Sequence, residues 1–135
     1  MSENSDVKKI TAVTAAIIRK GDDILICQRA EGGSCSLLWE FPGGKQEVGE
    51  TLKACLIREC LEELGVVIHV EDIYSQVNYT YGEKEMAFTF FHAHIISGQL
   101  KKRVHQDIRW VKRDELKAYE FCPADVEVAR GLGSE

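Results

Sequence analysis

Apolar and polar positions along this chain repeat with two different periods, and the changes of period mark its elements. From Ile10 to Arg19 the residues are apolar and β-branched, Gly21-Asp22-Asp23 supplies a turn, and Ile24 to Gln28 forms a second short run; together they predict a hairpin. Gly32 to Ser36 reads as a loop. Trp39-Glu40-Phe41 leads into Pro42-Gly43-Gly44, where proline presets a turn and glycine is expected to supply the positive φ of a type II geometry.

From Thr51 the period becomes helical. Thr51 is placed to cap a helix that runs to about Leu64, and Gly65 to stop it. β-branched and aromatic residues return in Val66 to Val70, Tyr74 to Tyr81 and Met86 to Ile96, with Ile108 to Val111 as a last short strand. A final helix is predicted from Pro123 to about Arg130, with proline in its first turn. Strands on both sides of one long helix, and a second helix at the end, predict a mixed α/β sandwich. One domain over residues 1–135 is expected, with residues 1–9 flexible.

Composition then narrows the function. The formal net charge is −5, which lacks the basic surface by which duplex DNA or RNA is held. A polyphosphate ligand would need a divalent cation or a local arginine cluster instead. The five cysteines are odd in number and form no C-x-x-C pair, so neither a disulfide framework nor a zinc ribbon is predicted, and a reducing cytoplasm is the expected location. No apolar signal segment opens the chain, and no run approaches the ~18 apolar residues of a bilayer span, so no membrane partner is expected. His92 and His94 alternate on one strand face and are expected to pack or face solvent. Tyr79, Tyr81, Phe88, Phe90 and Phe91 are expected in the core and the wall of a pocket.

The candidate chemistry lies in residues 44–66. On a helix advancing about 100° per residue, Glu59, Glu62 and Glu63 stand at i, i+3 and i+4 and share one face. Ile57, Cys60, Leu61 and Leu64 are expected to form an opposite stripe that packs on the core. Like charges at this spacing repel by a few tenths of a kcal/mol per pair, and no lysine sits four residues on to relieve them. A hard divalent cation would. Mg²⁺ takes oxygen ligands, keeps several waters, and is bound by a few carboxylates together with substrate phosphates.

Gly44, Glu50, Arg58, Glu59, Glu62, Glu63 and Gly65 fit the pattern G-x5-E-x7-R-E-U-x-E-E-x-G-U, where U is a bulky aliphatic. By these residues the chain resembles the Nudix hydrolases; Cys60 departs from the first U position, and Val66 fills the second. The resemblance implies the Nudix fold, an α/β/α sandwich with a mixed sheet and a catalytic loop-helix-loop. It also implies that Glu59, Glu62 and Glu63, with the main-chain carbonyl of Gly43, ligate Mg²⁺, for which Mn²⁺ could substitute. Arg58 would orient the catalytic carboxylates, Glu50 would brace the loop before the helix, and Gly65 would end it. In close relatives a glutamate six residues before a tryptophan resembling Trp110 serves as base or extra ligand. Here that position is Val104, and the base is left between Glu62 and Glu63.

The likeness extends to Arg29-Ala30, to the run from Trp39 to Gly44, and to Pro123-Ala124-Asp125, which resemble the MutT group of pyrophosphohydrolases. It implies hydrolysis of 8-oxo-dGTP or a related nucleoside triphosphate to the monophosphate and pyrophosphate, by a monomer or a homodimer. Arg29, Glu40, Phe41, Gly44 and Asp125 are then the expected substrate contacts. Arg29 offers a planar fork to phosphate oxygens or sits in a rim ion pair. Phe41 stacks on the base or packs in the core. Asp125 reads the base or merely complements a helix N-terminus. Ionised, it would only accept hydrogen bonds, from edges such as those of guanine or cytosine. Enzymes with Pro-Ala-Asp that act on cytidine or modified pyrimidine triphosphates keep that alternative open, as Val104 keeps open a nucleotide-sensing module without catalysis. A dinucleoside polyphosphate or a nucleotide sugar is disfavoured by the Pro-Ala-Asp segment and the short length.

Overall fold

The computed structural model of the chain describes residues 9–135, so the expectation of a flexible start falls mostly outside the described residues. In chain order the elements are β1 (Ile10–Lys20), β2 (Asp23–Gln28), β3 (Trp39–Glu40), β4 (Gly43–Lys45), α1 (Leu52–Leu64), β5 (Val66–Tyr81), β6 (Lys84–Gly98) and β7 (Asp107–Lys112). A 3-10 turn over Arg113–Ala118 and α2 (Pro123–Gly133) complete it. No helix among the described residues is long and apolar enough to cross a membrane.

β1 organises the sheet. Residues Ile10 to Ile18 run parallel to Glu85 to Ala93 of β6, while Val13 to Ala15 pair antiparallel with β4 and the end of the strand turns into β2. β5 lies antiparallel outside β6, and β7 and β3 flank β2, which makes the sheet mixed and seven-stranded. Because successive side chains of a strand point to opposite faces, β1 sorts the core into two layers. Ala15 and Ile17 meet Val128 and Leu132 of α2, whereas Ala16 and Ile18 meet Leu56, Cys60 and Leu64 of α1. The result is a sheet between two helices, the predicted α/β/α sandwich.

Helix α1 begins and ends where its caps dictate. The Thr51 hydroxyl accepts from the Ala54 N–H at 3.1 Å, and Gly65 enters the left-handed region at φ 73° while its N–H donates to the Leu61 carbonyl. Its buried face differs from expectation. Cys55, Leu56, Cys60 and Leu64 are buried, but Ile57 and Leu61 are 37% and 47% exposed. On the helical wheel Glu59 and Glu63 fall between Cys55 and Leu56, within the inward-facing arc rather than across from it. The acidic pair therefore borders the core and looks into a cleft, and only Glu62 turns outward.

Three other expectations change. Val66 to Val70 and Tyr74 to Tyr81 form one strand, in which irregularities between Val70 and Ser75 carry the exposed Glu71 and Asp72 past the sheet without breaking it. Gly43 and Gly44 adopt no positive φ; they form β4 and are required for close approach instead. A Cβ at Gly43 would overlap the Thr14 carbonyl. Tyr79 is 38% exposed and lies outside the core, while Phe90 is fully buried. His94 faces solvent beside Glu71, and His92 meets the edge of Tyr74. The five cysteines are free thiols, and all but Cys35 are buried.

Candidate active site

A cleft of about 820 Å³ opens where β4 meets β1. It is lined by Thr14, Gly43 and Gly44, by Arg29, Glu40 and His105, and by Glu63 of α1 and Asp125 of α2, the helices on opposite faces of the sheet. Gly44 lets the helix come this close. A Cβ there would lie within 2.7 Å of both Glu59 carboxylate oxygens.

Arg58 holds the acidic end together. Its Nε and Nη2 donate to the two oxygens of Glu50 at 3.0 and 2.7 Å, a forked pair. Its Nη1 donates to Glu59 at 2.9 Å and to Glu62 at 3.2 Å, and Nη2 reaches the Lys45 carbonyl at 3.2 Å. One guanidinium thus ties the loop before the helix to two helix carboxylates. The bonds from Arg58 hold the Glu50 carboxyl down at about 2, and Glu50 in turn accepts the Glu47 N–H. Arg58, expected as the orienting partner, also supplies the positive charge that no lysine four residues on provides; it lies four residues before Glu62.

The three helix carboxylates do not converge equally. Glu63 lies beside Glu59, while Glu62 is 59% exposed and leans to Arg58. Among the described residues no three acidic, histidine or cysteine side chains form a closed metal cage. The donor set nevertheless suits a hard cation. Burial first, and then the adjacent Glu59, push the Glu63 carboxyl up to about 9. Two oxygen-donor groups crowded in a partly dry cleft are the environment that a divalent ion relieves.

Behind Glu63 runs a polar chain. His105 Nε2 lies 3.2 Å from Glu40 Oε2 and 3.8 Å from Glu63 Oε1. The other oxygen of Glu40 accepts from Arg29 Nη1 at 3.1 Å, and Arg29 Nε donates to the Ser34 carbonyl. Arg29 and Glu40 are expected in the site from the sequence, whereas His105, next to Val104, carries no such expectation. The partner is 65 residues away, and no local signal links them.

At the far end Asp125 is 4% exposed, and its Oδ2 accepts the Phe41 N–H at 2.9 Å. Burial pushes its carboxyl up to about 8, against the lowering effect of that hydrogen bond. Burial thus favours the protonated form over the ionised, accept-only one: one oxygen accepts from the backbone, and a carboxyl proton on the other would be able to donate. Tyr81, expected in the core and the wall of a pocket, lines the cleft, accepts the Ala124 N–H at 2.9 Å and fixes the same helix end. Phe41 is 3% exposed, with one ring face on Phe121 and an edge contact to Phe90, so it serves the core rather than stacking on a base.

Comparison with known proteins shows the family. The family profile for the NUDIX domain matches residues 13–130. The 8-oxo-dGTP diphosphatase of Haemophilus influenzae is 36% identical over 129 residues, 95% of each chain. The CTP pyrophosphohydrolase of Escherichia coli is 32% identical over 123 residues, 87% of each. The solution structure of the E. coli ORF135 protein superposes with a TM-score of 0.82 at 30% identity, covering 94% of this chain and 91% of that one. The sandwich with its glutamate-bearing helix is the Nudix fold, and the chain belongs to the Nudix hydrolase family.

Proposed function

We propose that this Nudix hydrolase is a Mg²⁺-dependent nucleoside triphosphate pyrophosphohydrolase that releases a nucleoside monophosphate and pyrophosphate. Its substrates would be oxidised or modified nucleotides of the cytoplasmic pool, 8-oxo-dGTP foremost. The observation that carries this reading is one cleft lined by Glu63 of the acidic helix and, from the helix on the opposite face of the sheet, by the buried Asp125 carboxyl. Such a cleft suits a ligand with a polyphosphate at one end and a hydrogen-bonding base at the other.

Glu59, Glu62, Glu63 and the Gly43 carbonyl are the groups that would hold the Mg²⁺. When bound, the ion polarises a phosphoryl oxygen and lowers the pKa of a water molecule. Arg58 keeps Glu59 and Glu62 oriented, and Glu50 keeps Arg58 in place. Of the two carboxylates suited to receive the proton of an attacking water, Glu63 lies deeper in the cleft than Glu62. Arg29 spends Nε and Nη1 on the protein and has Nη2 left for a phosphate oxygen. Asp125 both donates and accepts toward the base, as an amide would.

A second reading, hydrolysis of CTP or a modified pyrimidine triphosphate, is favoured by the same Asp125 and by the likeness to a CTP pyrophosphohydrolase. Pyrophosphate release from a panel of oxidised, methylated and ordinary nucleotides in Mg²⁺ separates the readings. Tight nucleotide binding with no turnover over hours would overturn both in favour of a sensing module.

A further inference from the structure

His105 is a buried polar side chain to which the reading above gives no task. It is 4% exposed, yet it belongs to a loop, where side chains are ordinarily at the surface. The loop is held at both ends. On one side Arg103 donates to the Leu61 and Glu62 carbonyls at 3.1 and 3.2 Å, and the Lys101 N–H donates to the Leu64 carbonyl at 2.8 Å. On the other, the Gln106 N–H donates to the Gln28 carbonyl at 2.9 Å, one residue before Arg29. His105 is thus suspended between the end of α1 and the end of β2, the two elements that deliver Glu63 and Arg29.

Hydrogen-bond bookkeeping decides which way its ring works. Nδ1 is buried with no partner among the described residues, while Nε2 faces two carboxylates. A buried N–H without an acceptor costs more than a lone pair without a donor, since oxygen and nitrogen acceptors are the groups more often left under-satisfied. The proton therefore sits on Nε2 and is donated to Glu40 Oε2. Glu40 then has both oxygens committed, one to His105 and one to Arg29. The guanidinium, with Nε pinned to the Ser34 carbonyl, has its direction fixed by the histidine two bonds away.

We propose that His105 is a positioning residue for phosphate binding: through Glu40 it aims the free Nη2 of Arg29 into the cleft. It makes no contact with substrate itself. The inference rests on the reading of Arg29 as a phosphate contact and deepens it.

The test uses the full chain and the variants His105→Ala, His105→Gln, His105→Asn and Arg29→Ala, with the double variant His105→Ala/Arg29→Ala. Loss of a charge-assisted hydrogen bond predicts that His105→Ala raises KM about tenfold while kcat stays within about threefold. His105→Gln, whose amide nitrogen reaches the Nε2 position, restores KM to within about threefold; His105→Asn, which mimics only Nδ1, does not. The double variant is no worse than Arg29→Ala alone. Additive losses, or equal rescue by Gln and Asn, would overturn the proposal. Where His105→Ala fails to fold, the contrast between Gln and Asn decides by itself. If the unaltered enzyme hydrolyses no nucleotide, the functional reading has failed, and the same coupling is read from the calorimetric Kd of a nonhydrolysable triphosphate.

Discussion

The backbone N–H of Phe41 and the carboxyl of Asp125 meet at 2.9 Å across 84 residues of sequence. That bond joins the strand leading into the glycine floor to the first turn of the last helix. A parallel bridge between Trp39 and Phe121 runs beside it, so the far end of the cleft is a small sheet extension with a buried acid at its tip. The acid is placed by the fold, and its burial then raises its hold on a proton.

Stability should accordingly depend on pH through Asp125. The folded carboxyl titrates near about 8 against an ordinary 3.8, so the folded state binds the extra proton between these values. Its contribution is whole below about pH 4 and is lost as pH rises through 8. Urea unfolding at pH 5, 7 and 9 should show this decline, and Asp125→Asn should flatten it. Asp125→Ala, which leaves the Phe41 N–H without its partner, should cost about 1–3 kcal/mol at pH 6. An unchanged slope in Asp125→Asn would refute the assignment.

Cation affinity should rise with pH. Glu63 must give up a proton to act as a ligand, and burial and the neighbouring Glu59 push its carboxyl up to about 9. Titration calorimetry with Mg²⁺ or Mn²⁺ at pH 6.5, 7.5 and 8.5 should give progressively tighter binding, with proton release. EDTA should abolish turnover, and Glu63→Gln should lower kcat by roughly 10² or more.

Gly44→Ala tests the close approach of β4 to α1. The added methyl overlaps the Glu59 carboxyl, so Glu59 has to leave its bond to Arg58. Displacement of a catalytic group by about 1 Å costs on the order of 10²-fold in rate. Turnover should fall by that order while the far-ultraviolet circular dichroism is retained. Full activity would show that Glu59 is free to sit elsewhere.

Arg58→Lys asks whether the fork or the charge matters. A lysine keeps the charge and loses the paired bonds to Glu50. Activity should drop at least tenfold, and the Glu50 carboxyl, held at about 2 by Arg58, should titrate nearer its ordinary value of 4.5 in a carbon-13 NMR titration. An unshifted Glu50 in Arg58→Lys would mean that charge alone suffices.

The helix and its acidic face were legible because their signals are local. Thr51, Gly65 and the spacing of Glu59 and Glu63 lie within one short segment. The packed side of that helix was misread, since Ile57 and Leu61 are apolar yet face solvent, and nothing in their own residue type reports what lies opposite. Gly43 and Gly44 drew attention for the wrong reason; a positive φ is written into local turn chemistry, whereas close approach to Thr14 and Glu59 exists only after packing. Asp125 was named, but its protonation follows from burial, which is a property of the assembled sandwich. His105 was passed over because its meaning depends on Glu40, brought to it by the pairing of β2 with both β3 and β7.

The parallel pairing of β1 with β6 also sets an order of events during synthesis. The central strand emerges from the ribosome early, and the neighbour that covers one of its edges follows only after residues 85–93 have been made. Until then Ile17 and Ile18 lack their final cover, and long-range parallel pairing is slow to form. The nascent chain therefore leaves these apolar side chains without their final neighbours until β6 has been synthesised.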